Sequence, residues 1–207
     1  CAMRPASALS ADGPANLRDA LACAADGGAL AWAQAGQPVL VVAAGEVHSA
    51  AAVRKAHAYQ VHALSSAPAG PVAWVEEGRL RWAQRLPQQV VVKNAVPLPP
   101  LPWPWVEVVT SHAGARAEGV DALVAAGVRG LVVAGTGNGT VHAAWLPALQ
   151  RARAAGVPIV RTTRCAEGRI VQAPGQDDAE VVDLPPLKAR ISLMLRCMSP
   201  SVPRPSP

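Results

Sequence analysis

A chain of 207 residues can hold one large or two small domains, each with its own core. Phe is absent and Tyr59 is the sole tyrosine, so six Trp and many Leu, Val, Ile and Ala must fill that core by close approach of short side chains. The net charge of +5 comes from 19 basic and 14 acidic residues scattered as singletons, with the densest group in "GRLRWAQR" at Gly78–Arg85; this lacks the basic stripe that nucleic-acid binding requires.

Cys1, Cys23, Cys165 and Cys197 form no CxxC pair, which argues against a thiolate metal site and a disulfide scaffold, and no metal or other cofactor is expected. No apolar run reaches the ~20 residues of a membrane span, so no membrane partner is expected. The opening "CAMRPASALSADGP" has neither a basic leader nor an apolar run after it. The cytoplasm is the default compartment, and a start at Cys suggests a piece of something longer.

In chain order, the spacing predicts a helix from about Ala15 to Ala25, with Asp12 or Pro14 as start signals and Leu17, Leu21 and Ala24 on its apolar face. An alanine-rich stretch ends at Gly36-Gln37. "PVLVVAAG" has the length and β-branching of a strand buried on both faces. Glu46 to Ser66 shows no steady period and reads as a polar connection, and "PVAWVEEGRLRWAQ" reads as a hairpin turning at Glu76-Glu77-Gly78. Five prolines between Pro97 and Pro104 fit neither sheet nor helix and mark a stiff boundary.

Beyond the boundary, strand and helix alternate. "WVEVVTSHAG" predicts a strand, "GVDALVAAGV" a helix, "GLVVAGTGNG" a strand and loop, and "TVHAAWLPALQRARAAGV" a helix interrupted or bent near Pro147. "PIVRTTRCAEG" predicts a third strand and "GRIVQA" a short fourth. A last helix, "PLKARISLMLRCM", crowds Leu187, Ile191, Leu193, Met194 and Leu195 on one side, before a frayed tail. This order implies a small parallel sheet with crossover helices. Gly127 and Gly156 sit where helices must stop in left-handed caps.

The loop Gly135-Thr136-Gly137-Asn138-Gly139-Thr140 follows a strand directly. Ligands in open α/β sheets bind outside the carboxyl ends of strands, beside a reversal of strand order. The loop matches neither GxGxxG with its distant acid nor a Walker A loop. A tight turn, a subunit contact and a ligand contact all stay open. Asn138 can offer its amide to a carboxylate, or it can serve as a left-handed residue or as the cap of a helix starting near Thr140. Ser111-His112, adjacent on a strand, point to opposite faces and make no nucleophile–base pair. His48, His57 and His62 fit no i, i+4 metal pattern, and His142 reads as a packing or interface histidine.

Four stretches carry a family resemblance: "AMRPASALSADGPANLRDA", "AAVRKAHAY", "GLVVAGTGNGTVH" and "PLKARISLML", with "TSHAG" and "VRTTRC" also fitting. The chain resembles the C-terminal two-thirds of a bacterial-type L-asparaginase, or asparaginase/glutaminase. The resemblance implies hydrolysis of the asparagine side-chain amide, often also that of glutamine, in a homotetramer with active sites between subunits. A threonine hydroxyl attacks the amide carbon, and a second threonine with an aspartate works with a lysine. It implies that Lys55 is the catalytic lysine. Asn138, with Gly137 and Gly139, would approach the active site of a neighbouring subunit, and Glu180 would reach the substrate's amino group across that interface.

The implied fold is α/β. It comprises the remnant of a flavodoxin-like N-terminal domain over 1–94, a linker over 95–104, a C-terminal domain with a parallel sheet over 105–198, and a disordered tail over 199–207. The family's "GTGGTI" and "HGTDT" motifs, which bear the threonines, do not occur here. A truncated and inactive chain is therefore expected. The alternative is an α/β fragment that binds amino acids or associates with an intact subunit.

Overall fold

A computed structural model describes residues 2–37, 39–83, 101–172 and 180–198. The chain divides into two compact units, Cys1–Val96 and Pro97–Pro207. Most of the predicted proline-rich boundary, 95–100, and the predicted tail, 199–207, lie outside the described residues.

The first unit begins with helix α1 (Gly13–Ala24) and helix α2 (Gly27–Gln34). Asp12 stands at the N-cap of α1, yet its carboxylate accepts hydrogen bonds from Met3 N at 2.9 Å and Arg4 N at 2.9 Å, and these hold it below the usual carboxylate range. α1 does not turn its predicted face inward. Asn16, Asp19 and Cys23 are buried, while Leu17 and Leu21 are both 64% exposed. Periodicity marks a stripe, but contact with the sheet decides which stripe is covered.

The expected strand buried on both faces is instead β1 (Leu40–Ala43), paired antiparallel with β2 (Glu46–Ser49). Ala44 and Gly45, at φ 52° and 76°, form a two-residue turn of the left-handed kind that matches strand twist. Asn16 Oδ1 accepts from Ala44 N at 2.8 Å and fixes the turn to α1.

The predicted polar connection contains β2 and a small ribbon, β3 (Arg54–Lys55) and β4 (Leu64–Ser65). The hairpin forms as β5 (Ala73–Glu76) and β6 (Arg79–Trp82), turning at Glu77-Gly78. The main sheet runs β1-β2-β5-β6. Its core gathers Cys23, Trp32, Val42, Val47, Val72 and Ala73. The flavodoxin-like parallel sheet expected over 1–94 is thus corrected: β1 lies at the edge of an antiparallel sheet, and its antiparallel partners supply its burial.

Trp82 also secures α2. Its Nε1 donates to Asp26 Oδ1 at 3.0 Å, its ring stacks on Trp32 with centroids 6.2 Å apart, and a Cβ on Gly28 would lie 2.5 Å from Nε1.

The second unit is a parallel sheet in the order β10-β9-β8-β7, made of β7 (Val106–Thr110), β8 (Gly130–Gly135), β9 (Ile159–Thr163) and β10 (Glu180–Val181). The fourth strand is not the predicted "GRIVQA" but Glu180–Val181. Helix α3 (Ala117–Ala125) and helix α4 (Leu146–Ala154) cover one face over Leu131, Val133 and Ile159. Helix α5 (Pro186–Cys197) covers the other over Val106, Val132 and Val160. Alternation along β8 therefore feeds two cores.

Gly127 (φ 85°) and Gly156 (φ 81°) close α3 and α4 as predicted. Val128 N donates to Leu123 O at 3.0 Å and Val157 N to Ala152 O at 3.0 Å, the 6→1 bonds of a Schellman cap. On α5, Ala189, Leu193 and Met194 are buried, while Leu187, Ile191 and Leu195 are exposed. The apolar residues predicted on one side thus divide between two.

Candidate functional site

The carboxyl ends of β7, β8 and β9 bring together Ser111, the Gly135–Thr140 loop and Thr163-Arg164-Cys165. Among the described strands the order runs without reversal, so the expected crevice at a switch in strand order is absent there. The loop is instead a closed turn on top of the sheet. Thr136 and Thr140 exchange backbone hydrogen bonds at 2.9 and 2.8 Å. The chain then passes through a 3-10 turn at Ala143–Trp145 before α4, with Pro147 in the first turn of that helix. Asn138 consequently caps no helix. His142 serves the 3-10 turn: its Nδ1 accepts from Ala144 N at 3.3 Å, and its own N–H donates to Ser111 Oγ at 2.9 Å.

Each loop glycine has a different reason. A Cβ on Gly135 would meet the backbone carbon of Gly139 at 2.4 Å, and one on Gly139 (φ 78°) would meet Ile170 Cδ1 at 2.3 Å. Gly137 faces open space but sits at φ 49°. Its carbonyl accepts from Thr163 Oγ1 at 2.6 Å, while Thr163 Oγ1 accepts from Cys165 N at 3.1 Å.

Asn138 donates from Nδ2 to Val171 O at 2.8 Å and accepts at Oδ1 from Val171 N at 2.7 Å. Both ends of the amide are engaged with the segment that follows β9. The loop and residues 163–171 therefore form one interlocked rim, exposed at Asn138 and buried at Ser111 and Thr163.

Glu180 is not drawn to this rim. It lies opposite Val160 in the β9–β10 register, near the start of β9, and pairs with Arg196 of α5. Lys55 belongs to the first unit, exposed on β3 opposite Leu64. His112 is exposed, with Nδ1 2.8 Å from its neighbour's carbonyl oxygen at Ala113, so it makes no pair with the buried Ser111. Sequence reasoning missed Ser111 and Thr163 as organisers of the loop. Their only signal was a hydroxyl at the end of an apolar strand, facing a glycine-rich neighbour. Among the described residues, no group of three His, Cys, Asp or Glu could hold a metal ion, and no helix is long and apolar enough to cross a membrane.

The sequence matches the family model of the N-terminal asparaginase domain over residues 1–88 and that of the glutaminase/asparaginase C-terminal domain over residues 105–201. A glutaminase-asparaginase of Pseudomonas fluorescens biotype A is 35% identical over 206 residues, covering 93% of this chain and 54% of that protein. A probable periplasmic L-asparaginase of Haemophilus influenzae is 33% identical, covering 94% of this chain and 56% of that protein. L-asparaginase 2 of Escherichia coli K12 is 32% identical with the same coverage. The chain spans about half the length of these curated relatives.

These matches correct the sequence reading. The expectation that only the C-terminal two-thirds is represented, with a remnant of the first domain, is overturned by the match of the N-terminal model to residues 1–88. The expectation of a truncated and inactive chain, drawn from the missing "GTGGTI" and "HGTDT" motifs, is overturned by the same match of the N-terminal domain model. With a model of each of the family's two domains matched in order, the chain belongs to the glutaminase/asparaginase family.

Proposed function

We propose that this protein is an L-asparaginase-type amidohydrolase that converts L-asparagine and water to L-aspartate and ammonia, with L-glutamine as a second substrate. The observation that carries the reading is the match to both family domains, together with relatives named as glutaminase-asparaginases and L-asparaginases. Hydrolysis breaks the C–N bond of the substrate amide and forms a C–O bond to water, so a proton must reach the departing nitrogen. Lys55 is the residue assigned to that proton traffic, and its ammonium stands exposed on a short strand.

The functional assembly is a homo-oligomer in which Gly137, Asn138 and Gly139 face a neighbouring subunit. Exposure of Asn138 at the rim supports this placement. Glu180 keeps its assigned contact with the substrate's amino group only if it leaves Arg196. The domain bounds remain 1–94 and 105–198, joined by 95–104. Free thiols at Cys23, Cys165 and Cys197 suit a reducing compartment, and the cytoplasm is retained.

The test is ammonia release from L-asparagine and L-glutamine by the purified protein and by Lys55→Ala. The expected result is release from both amides, faster with asparagine, and a loss of roughly 100-fold or more in the variant. Release no greater than that of Lys55→Ala would refute the assignment.

A further inference from the structure

Among the described residues of the first unit, His48 is the most deeply buried ionisable one, 1% exposed on β2. Its neighbour Val47 enters the core under α1 and α2, so by strand alternation His48 faces the other side of the sheet. There its Nδ1 lies 2.9 Å from Ser66 Oγ, a hydroxyl only 3% exposed. Nε2 lies 3.3 Å from the Glu46 carboxylate, two residues back on the same face.

Ser66 does not belong to the sheet that carries His48. It directly follows β4, whose partner β3 ends at Lys55. The imidazole therefore bridges the four-stranded sheet and the ribbon that presents the lysine. On the other side, the ribbon is anchored by Ala52 N and Val53 N donating to Ser49 O at 3.0 and 2.9 Å. Across it, Ala56 N donates to Ala63 O at 2.7 Å and Arg54 Nη1 to Ala67 O at 2.6 Å. Strand β3 has only two residues and cannot hold its place by ladder bonds alone.

We infer that His48 is a positioning residue for Lys55: through Ser66 it fixes the β3–β4 ribbon to the main sheet and so sets where the lysine ammonium stands. This inference rests on the reading of Lys55 as the catalytic lysine. His48 touches no substrate in this role; it acts through the backbone of β4 and β3.

The experiment compares Ser66→Ala, His48→Leu and His48→Asn in the whole 207-residue chain, by amide hydrogen exchange without substrate and by steady-state asparagine hydrolysis. Asn places an amide near the Nδ1 position and can keep the bond to Ser66. Exchange at residues 54–56 and 63–65 should accelerate at least tenfold in Ser66→Ala and His48→Leu, while residues 73–82 keep their protection. His48→Asn should stay near the parent. The rate loss in the first two variants should fall on kcat by about tenfold, with KM changed less than twofold.

Unchanged ribbon exchange in Ser66→Ala overturns the inference, as does equal loosening of residues 73–82. A loss confined to KM overturns it too. Accelerated ribbon exchange in Ser66→Ala and His48→Leu of a parent protein that hydrolyses no asparagine refutes the catalytic reading of Lys55, and with it the positioning role, while the mechanical pin itself stands.

Discussion

The side-chain amide of Asn138 and the backbone of Val171, 33 residues apart, close a two-bond ring at 2.8 and 2.7 Å. A single amide thereby joins the glycine loop to the segment that leaves β9. Asn138→Ala removes both bonds, and Asn138→Asp keeps the acceptor but sets a carboxylate oxygen against Val171 O. Each bond contributes about 0.5–1.5 kcal/mol at most, and less at an exposed position. Residues 164–172 should therefore exchange amide hydrogens faster in both variants, with Asp no better than Ala and the midpoint of thermal unfolding lowered only slightly. Unaltered exchange in that segment would contradict the clamp.

The three loop glycines should not tolerate alanine equally. At Gly135 the new methyl would strike the backbone of Gly139, which cannot yield without opening the Thr136–Thr140 pair. At Gly139 it would strike the tip of Ile170 at a left-handed φ. At Gly137 only the backbone preference opposes it, about 1–2 kcal/mol. Urea unfolding should rank the losses as Gly135→Ala, then Gly139→Ala, then Gly137→Ala. Ile170→Ala should recover part of the loss from Gly139→Ala and none of that from Gly137→Ala.

Ala44 occupies a left-handed conformation that glycine adopts freely. Ala44→Gly should raise stability by about 0.5–1 kcal/mol, less the greater entropy of glycine in the unfolded state. Asn16→Leu should lower it by roughly 1–3 kcal/mol, because it strips the turn amide of its buried acceptor. Chemical denaturation of the two variants gives opposite signs if the turn is held as described.

Burial holds the His48 imidazole below its ordinary range near 6.5, although the Glu46 carboxylate pulls the other way. The folded state thus favours the neutral ring, and the unfolded state binds the extra proton. Stability from this group is fully present above pH 6.5 and is lost as pH falls through the lower folded value. Stability measured between about pH 7.5 and pH 5 should decline more steeply in the parent than in His48→Asn. Identical slopes would show that His48 does not carry this linkage.

Much of the second unit was legible because its signals are local. Gly127 and Gly156 announce left-handed caps through backbone geometry alone, and the apolar run at Leu131–Ala134, bounded by glycines, reads as a strand. The turn at Glu77-Gly78 was readable for the same reason.

In the first unit, periodicity showed that α1 had an apolar stripe, but the sheet took the Asn16–Cys23 side, where Asn16 accepts from the amide of the Ala44 turn. Lys55 and the glycine loop could be matched to a family pattern. Their surroundings could not, because Ser66 and Val171 are brought to His48 and Asn138 only by the path of the backbone.

By itself, the amino-acid order determined the strands Val106–Thr110, Gly130–Gly135 and Ile159–Thr163 and the caps at Gly127 and Gly156, since each depends on the conformations open to a few adjacent residues. Tertiary structure alone decided the antiparallel pairing of β1 with β2, the buried faces of α1 and α5, and the partners of Asn138 and His48. Those outcomes depend on which distant groups compete for the same surface or the same hydrogen bond, and no short window of sequence contains both competitors.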